Sequence, residues 1–167
     1  RRAGTATFVE GAARRVDRPA PEFSTADLRR LAMNFRCVAV LGGTGFVGRA
    51  VCERLARRSA EGAIVVPTRR AAHANAVRPL PTVDVRVADV HVDAALAGVL
   101  AGCDVVINLV AILHGNAAAF AKVHAKLPER IAAACAAAGI KRVLHVSALG
   151  VSASAPSNYL RSKAAGE

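Results

Sequence analysis

Residues 42–48 read GGTGFVG, which sets Gly42, Gly45 and Gly48 at G-x-x-G-x-x-G spacing. Glycine triplets are common in turns. This one follows the apolar run CVAVL (37–41) and opens a segment with Val47, Val51 and Leu55 on one helical face. In that setting Gly42 allows a tight turn, Gly45 lets backbone approach a pyrophosphate, and Gly48 lets the helix pack closely on its strand. The anion would rest on unpaired N–H groups at the positive helix end. The expected cradle is Gly42, Thr44, Gly45, Phe46, Val47 and Gly48. The alternative is a merely tight strand-to-helix turn.

A dinucleotide site that prefers NAD usually carries an acid about 20 residues past its glycines, bonding a ribose 2′-hydroxyl. Here that stretch reads Pro67-Thr68-Arg69-Arg70, and no acid occurs between Glu61 and Asp84. Arg69 or Arg70 can instead hold a 2′-phosphate through charge-assisted hydrogen bonds. NADP is therefore expected, with NAD as the alternative; an ordinary solvated basic loop would leave the preference open. Asp89, in VADV, is placed to reach an adenine edge or to sit in an exposed turn. Asn108 lies in the apolar run VVINLVA. A buried amide needs partners, so it either ties neighbouring loops or lines the cleft.

Tyr159 and Lys163 stand at Y-x-x-x-K spacing in SNYLRSK. On a helix, residues four apart share a face, and an ammonium beside a phenol favours the ionised form that acid–base work needs. Ser147, twelve residues earlier, would stand at the carboxyl end of a strand, where ligands bind in open α/β sheets. Its hydroxyl could meet a substrate carbonyl, with Ser152 and Ser154 as competitors. An interfacial Tyr beside a solvated Lys, and a serine that only caps a turn, are the alternatives.

The elements that must position these residues alternate. Strands are expected at 37–41, 63–66, 83–88, 104–110 and 142–146. Helices are expected at 45–58, 93–100 and 117–138, with a last one starting near Ser157. Pro128 should break the long helix or begin a new one there, and Gly139 should end it. Short apolar strands separated by helices imply a parallel sheet covered on both faces. Right-handed crossovers give a doubly wound, Rossmann-type α/β fold with strand order 3-2-1-4-5.

Composition agrees with that class. Of 167 residues 53% are hydrophobic and 21% charged, enough apolar surface for a real core. No run approaches the roughly 18–20 apolar residues of a membrane span. The net charge of +11 raises affinity for anions in general. Aromatics are only 4% and the basic residues are scattered, which argues against a base-stacking surface and nucleic acid as partner. The cysteines, Cys37, Cys52, Cys103 and Cys135, are too widely spaced for a zinc motif, and neither a disulfide framework nor a metal is expected. A reducing, cytoplasmic setting follows. Residues 1–32 lack periodicity and cluster Arg14, Arg15, Arg18, Pro19 and Pro21. They read as a disordered or non-native leader before Met33, leaving 33–167 as the nucleotide-binding domain.

Together, GGTGFVG, VADV, NLVA, HVSALG and YLRSK resemble the short-chain dehydrogenase/reductase superfamily in its extended or atypical branch, over residues 37–167. The combination AILHG, FAKVH, HVSALGV and SNYLRSKAAGE is similar to bacterial relatives of the NADPH-binding accessory subunit of respiratory complex I, proteins also described as epimerase/dehydratase-like. The resemblance implies that Val90, Val110, Ala111 and Lys163 contact the cofactor, beside the glycine turn, Arg69, Arg70 and Asp89. It implies Ser147, Tyr159 and Lys163 as catalytic positions. Two functions follow from it: a dinucleotide held for structure or assembly in contact with complex I subunits at the inner face of the plasma membrane, or an active NADP-dependent oxidoreductase or nucleotide-sugar epimerase/dehydratase. His124 stands where many extended members carry Asn, and Ala148 and Leu149 replace further hydroxyls after Ser147. Extended members continue past the Y-x-x-x-K helix, so a domain truncated before its carboxyl-terminal strands and substrate domain is expected.

Overall fold

A computed structural model describes residues 35–58 and 62–167. The expected leader and Met33 lie outside the described residues. Five parallel strands form one sheet in the order β3-β2-β1-β4-β5, as expected from the alternation. They are β1 (Cys37–Leu41), β2 (Ala63–Thr68), β3 (Val83–Val87), β4 (Val105–Asn108) and β5 (Arg142–His145). Helix α1 (Phe46–Arg58) follows β1, α2 (Asp93–Leu100) joins β3 to β4, and α3 (Ala117–Phe120) and α4 (Leu127–Ala137) lie between β4 and β5. The last helix is α5 (Asn158–Ala164).

Strand periodicity sorts the core into two layers. Val38 and Val40 turn to the face that also buries Cys52, Ile64, Val66 and Val77. Ala39 and Leu41 turn to the other, against Leu96, Leu100, Leu127 and Ile131. Successive residues of a strand point to opposite faces, so β1 is buried on both and reads as one apolar run. Cover thins at the far edge, where Val143 and Leu144 of β5 stay 43% and 40% exposed. The expectation of a sheet covered on both faces therefore holds for the central strands and not for β5.

Two other local expectations change. β2 continues past Val66 through Pro67 and Thr68, paired with β3. A proline is tolerated there because alternate residues of β2 bond β3, as Ile64 N–H does to Thr82, while Pro67 points to the β1 side. The β1 pairing has already ended at Ala39 and Val65, so no ladder bond is lost. The helical stretch expected at 117–138 does begin anew at Pro128, but it is also interrupted before that by a π-helical stretch, Ala121–Lys126, after which Leu127 N–H reaches back to the Lys122 carbonyl. Pro128 then occupies the first turn of α4, where its missing N–H costs least. Gly139, with φ +71°, ends α4 as expected.

Candidate functional site

The glycine turn sits at the carboxyl end of β1. Gly42 adopts φ +83°, the left-handed region that glycine enters freely. A Cβ on Gly48 would overlap the Gly42 carbonyl oxygen, so α1 packs on the turn only because position 48 is bare. The N–H groups of Phe46, Val47 and Gly48 make no backbone hydrogen bond, as expected of a first helical turn.

Beside this turn lies a cleft of about 590 Å³. Gly42, Thr44, Arg69, Arg70, Asp89, Val90, Val110 and Ala111 line it, whereas Gly45, Phe46, Val47 and Gly48 do not. Each of these was expected from the sequence. His73, His91, Ile112 and Val123 also line it, and nothing in their spacing marked them out. Thr68 braces the arginine corner: its hydroxyl donates to the Arg70 carbonyl at 3.0 Å and takes the Arg70 N–H at 3.4 Å. Neither Arg69 nor Arg70 pairs with an acid among the described residues. Asp89 Oδ1 accepts the His91 N–H at 3.0 Å, closing a turn at the cleft wall. His91 is held below the usual histidine range by burial, against the pull of Asp89 and aided by Lys122, Arg130 and Arg69. Its Nδ1 is buried without a hydrogen-bond partner among the described residues.

These features fit a dinucleotide. Free N–H groups at a helix start suit a pyrophosphate, unpaired arginines suit a further phosphate, and the orphaned His91 nitrogen can accept a partner that a ligand supplies.

The serine, tyrosine and lysine lie elsewhere. None of Ser147, Tyr159 and Lys163 lines the cleft described above. Lys163 is 1% exposed, and its Nζ donates to the Val146 carbonyl at 2.7 Å. Burial holds its ammonium below the usual lysine range, with Glu167 acting weakly the other way. His145 Nε2 lies 3.5 Å from the same Nζ. Asn108 Oδ1 accepts the Val110 N–H, so its amide nitrogen faces and donates to His145 Nδ1 at 3.0 Å. His145 Nδ1 is thus an acceptor and its proton sits on Nε2, so no hydrogen bond joins that nitrogen to the Lys163 ammonium, and burial followed by the Lys163 charge keeps the His145 pKa low. Asn108 therefore ties the ends of β4 and β5 together.

Tyr159 packs edge-on against His124, with ring centroids 5.3 Å apart, and against Phe120 at 6.3 Å. Ser147 Oγ is buried with no hydrogen-bond partner among the described residues. His124, fully buried, joins three segments. Its Nε2 accepts the Ile112 N–H at 3.1 Å and its Nδ1 meets Ser162 Oγ at 2.8 Å. Ser162 donates its own proton to the Tyr159 carbonyl, so His124 Nδ1 must be the donor in that pair. Burial, then Lys163 and His145, hold His124 neutral by lowering its pKa.

A parallel five-stranded sheet in this order, with a glycine turn at the topological switch point between β1 and β4, defines a Rossmann-type nucleotide-binding protein. The family model for the NAD dependent epimerase/dehydratase family matches residues 38–164. The chain belongs to that family, and a nicotinamide dinucleotide is its cofactor. A curated relative, NADH dehydrogenase (ubiquinone) 1 alpha subcomplex subunit 9, mitochondrial, of Arabidopsis thaliana, is 33% identical over 134 residues. The match covers 77% of this chain and 33% of that one, so the chain spans about a third of the relative's length. Among solved structures, a UDP-galactose 4-epimerase matches with TM-score 0.65 at 21% identity, over 78% of this chain and 49% of the other. The Bordetella bronchiseptica enzyme WbmG, solved with NAD and UDP, matches with TM-score 0.67 at 22% identity, over 80% and 48%. At these identities the structures establish the shared fold alone. Among the described residues, no helix is long and apolar enough to cross a membrane.

Proposed function

We propose that this chain is the dinucleotide-binding part of a complex I accessory-subunit-like protein, and that it holds NADP for structure or assembly. One observation carries the reading. The cleft lining brings Arg69, Arg70, Asp89, Val90, Val110 and Ala111 together with Gly42 and Thr44 of the glycine turn, while Lys163 is buried against the Val146 carbonyl and stays off that lining. The first-turn N–H groups of α1 hold the pyrophosphate, Asp89 and Val90 border the adenine, and Arg69 and Arg70 take the 2′-phosphate. Val110 and Ala111 line the nicotinamide half. The bound nicotinamide would supply hydride chemistry, and the neighbouring residues fix its position. Similarity to a mitochondrial subunit of NADH dehydrogenase (ubiquinone) supports complex I subunits as partners. For a bacterial chain the corresponding place is the inner face of the plasma membrane.

A second reading has its own support: an oxidoreductase or epimerase that uses Ser147, Tyr159 and Lys163. Tyr159 and Lys163 share α5, and the buried Ser147 hydroxyl has, among the described residues, no partner, a place that a substrate could fill. In that reading Tyr159 moves a proton, Lys163 binds ribose and favours the phenolate, and Ser147 orients a carbonyl.

The two readings separate by turnover. The chain is incubated with NADPH or NADP and a panel of carbonyl and nucleotide-sugar substrates, with binding followed by calorimetry. Nucleotide binding without turnover is expected. Turnover that disappears in Tyr159→Phe overturns the structural reading in favour of the second.

A further inference from the structure

Cys37 opens β1 and Cys103 ends the turn after α2, 66 positions apart, yet their sulfurs lie 2.9 Å from one another. Backbone bonds on both sides hold them there. Asp104 N–H donates to the Cys37 carbonyl at 3.0 Å, and Asp104 Oδ1 takes the Cys37 N–H at 2.9 Å. Asp104 Oδ2 takes the Arg36 N–H at 3.1 Å, and Cys103 N–H donates to the Leu100 carbonyl at 3.0 Å. The pair is therefore set by the sheet. Both cysteines are free thiols. A disulfide requires about 2.05 Å between sulfurs, so the remaining approach is under about 1 Å. Among the described residues no sulfur–sulfur contact involves Cys52 or Cys135: Cys52 lies in the opposite core layer, its Sγ facing the Gly43 carbonyl, and Cys135 is buried in the same layer as Cys103. No group of three metal-ligating side chains occurs among the described residues, so a dithiol pair is the chemistry this place offers.

We propose that Cys37 and Cys103 form a reversible dithiol–disulfide couple, a covalent modification site at the end of the sheet opposite the nucleotide cleft. The oxidant is a small-molecule disulfide such as oxidised glutathione. Cys37, half-buried, is the accessible thiol; Cys103 is 8% exposed. The Cys37 thiolate attacks one sulfur of the oxidant, forming a mixed disulfide and releasing one glutathione thiolate. Cys103 then loses its proton and displaces the second glutathione, closing the Cys37–Cys103 bond. Two electrons and two protons pass to the oxidant, which leaves as two reduced glutathiones. Burial, the hydrogen bond with Cys37 and the Cys37 charge push the Cys103 thiol up to about 12, so Cys103 is not the thiol that attacks first. Closure ties β1 to the start of β4 around the glycine turn, α1, β2, β3 and α2. It restricts the unfolded chain and so raises thermal stability. The cleft lies at the other end of β1, about 17 Å away for five residues, and keeps its nucleotide groups.

The test uses the full chain. It is incubated with oxidised glutathione or with dithiothreitol, alkylated and digested with trypsin without reduction. Cleavage after Arg36, Arg49, Arg54, Arg86, Lys122, Arg130 and Lys141 places the four cysteines on four different peptides. The expected product is the Cys37 peptide joined to the Cys103 peptide, lighter by two hydrogens, with a raised melting temperature against the reduced chain. Cys103→Ser should stop at glutathione on Cys37. Recovery of all four cysteines alkylated, glutathione left on Cys37 of the parent chain, or joining to Cys52 or Cys135 overturns the pairing. A Cys37–Cys103 bond with no rise in melting temperature overturns the lock.

Discussion

The Cα of Gly166 lies against the carbonyl oxygen of His124, so close that a Cβ at position 166 would overlap it. That carbonyl is available because Pro128, four residues on, has no N–H to give it. The proline that ends the π-helical stretch thus creates the seat for the residues after α5. Gly166→Ala should push α5 away from His124 and stretch the bond between His124 and Ser162. A loss of about 1–3 kcal/mol is expected, in the range of overpacked sites. Urea denaturation of the variant checks it; an unchanged midpoint shows that the segment is not seated there.

Acid should destabilise the protein through its buried histidines. His91, His124 and His145 are all held below 6.5 by burial first. Between their folded values and 6.5 the unfolded chain binds more protons than the folded one. Stability therefore rises with pH through that window and falls as pH drops below 6.5. For His124 the cause is concrete: protonating Nε2 sets a donor against the Ile112 N–H, with Lys163 and His145 adding repulsion. Asp104 acts in the same direction at lower pH. Burial works to raise its pKa, but the Cys37 and Arg36 N–H groups hold it below the usual carboxylate value, and that stability is lost as pH falls through its folded value. Urea midpoints at about pH 7.5 and about pH 5 should differ clearly in the parent chain. In His124→Phe the difference should shrink, while stability at the higher pH drops by about 1–3 kcal/mol because the Ile112 N–H loses its acceptor.

What the sequence disclosed was mostly local. The glycine turn is legible because one short segment contains both the positive-φ residue and the bare position that lets α1 pack. The strand order follows from alternation and handedness, and Arg69 and Arg70 stand where a fixed distance from the glycines puts them. The rest depends on partners far along the chain. His124 is explained by Ile112 and by Ser162, 38 residues later, and the pairing of Cys37 with Cys103 spans 66. Lys163 shares a helix with Tyr159 as the spacing predicts. Spacing alone gave no sign that its Nζ would be buried under β5 against Val146. The π-helical stretch was foreshadowed only by Pro128.

Cofactor preference should rest on the arginine corner. β2 ends at Thr68, whose hydroxyl bonds both the carbonyl and the N–H of Arg70, so the backbone that carries the guanidinium is fixed before a ligand arrives. Neither arginine is paired to an acid among the described residues, so a 2′-phosphate need not displace an ion pair. A ribose hydroxyl offers no charge for them, and the acid that would hold it is missing from this stretch. NADPH should bind at least about tenfold more tightly than NADH, roughly 1.4 kcal/mol or more, the scale of a charge-assisted contact. Arg69→Ala with Arg70→Ala should bring the two affinities to within about threefold by weakening NADPH and leaving NADH nearly unchanged. The preference should also shrink as salt is raised, because both arginines are exposed and their attraction is screened. Calorimetry with both nucleotides at low and high ionic strength measures each point. Equal affinities in the parent chain would remove these arginines from the 2′-phosphate and return NAD as the cofactor.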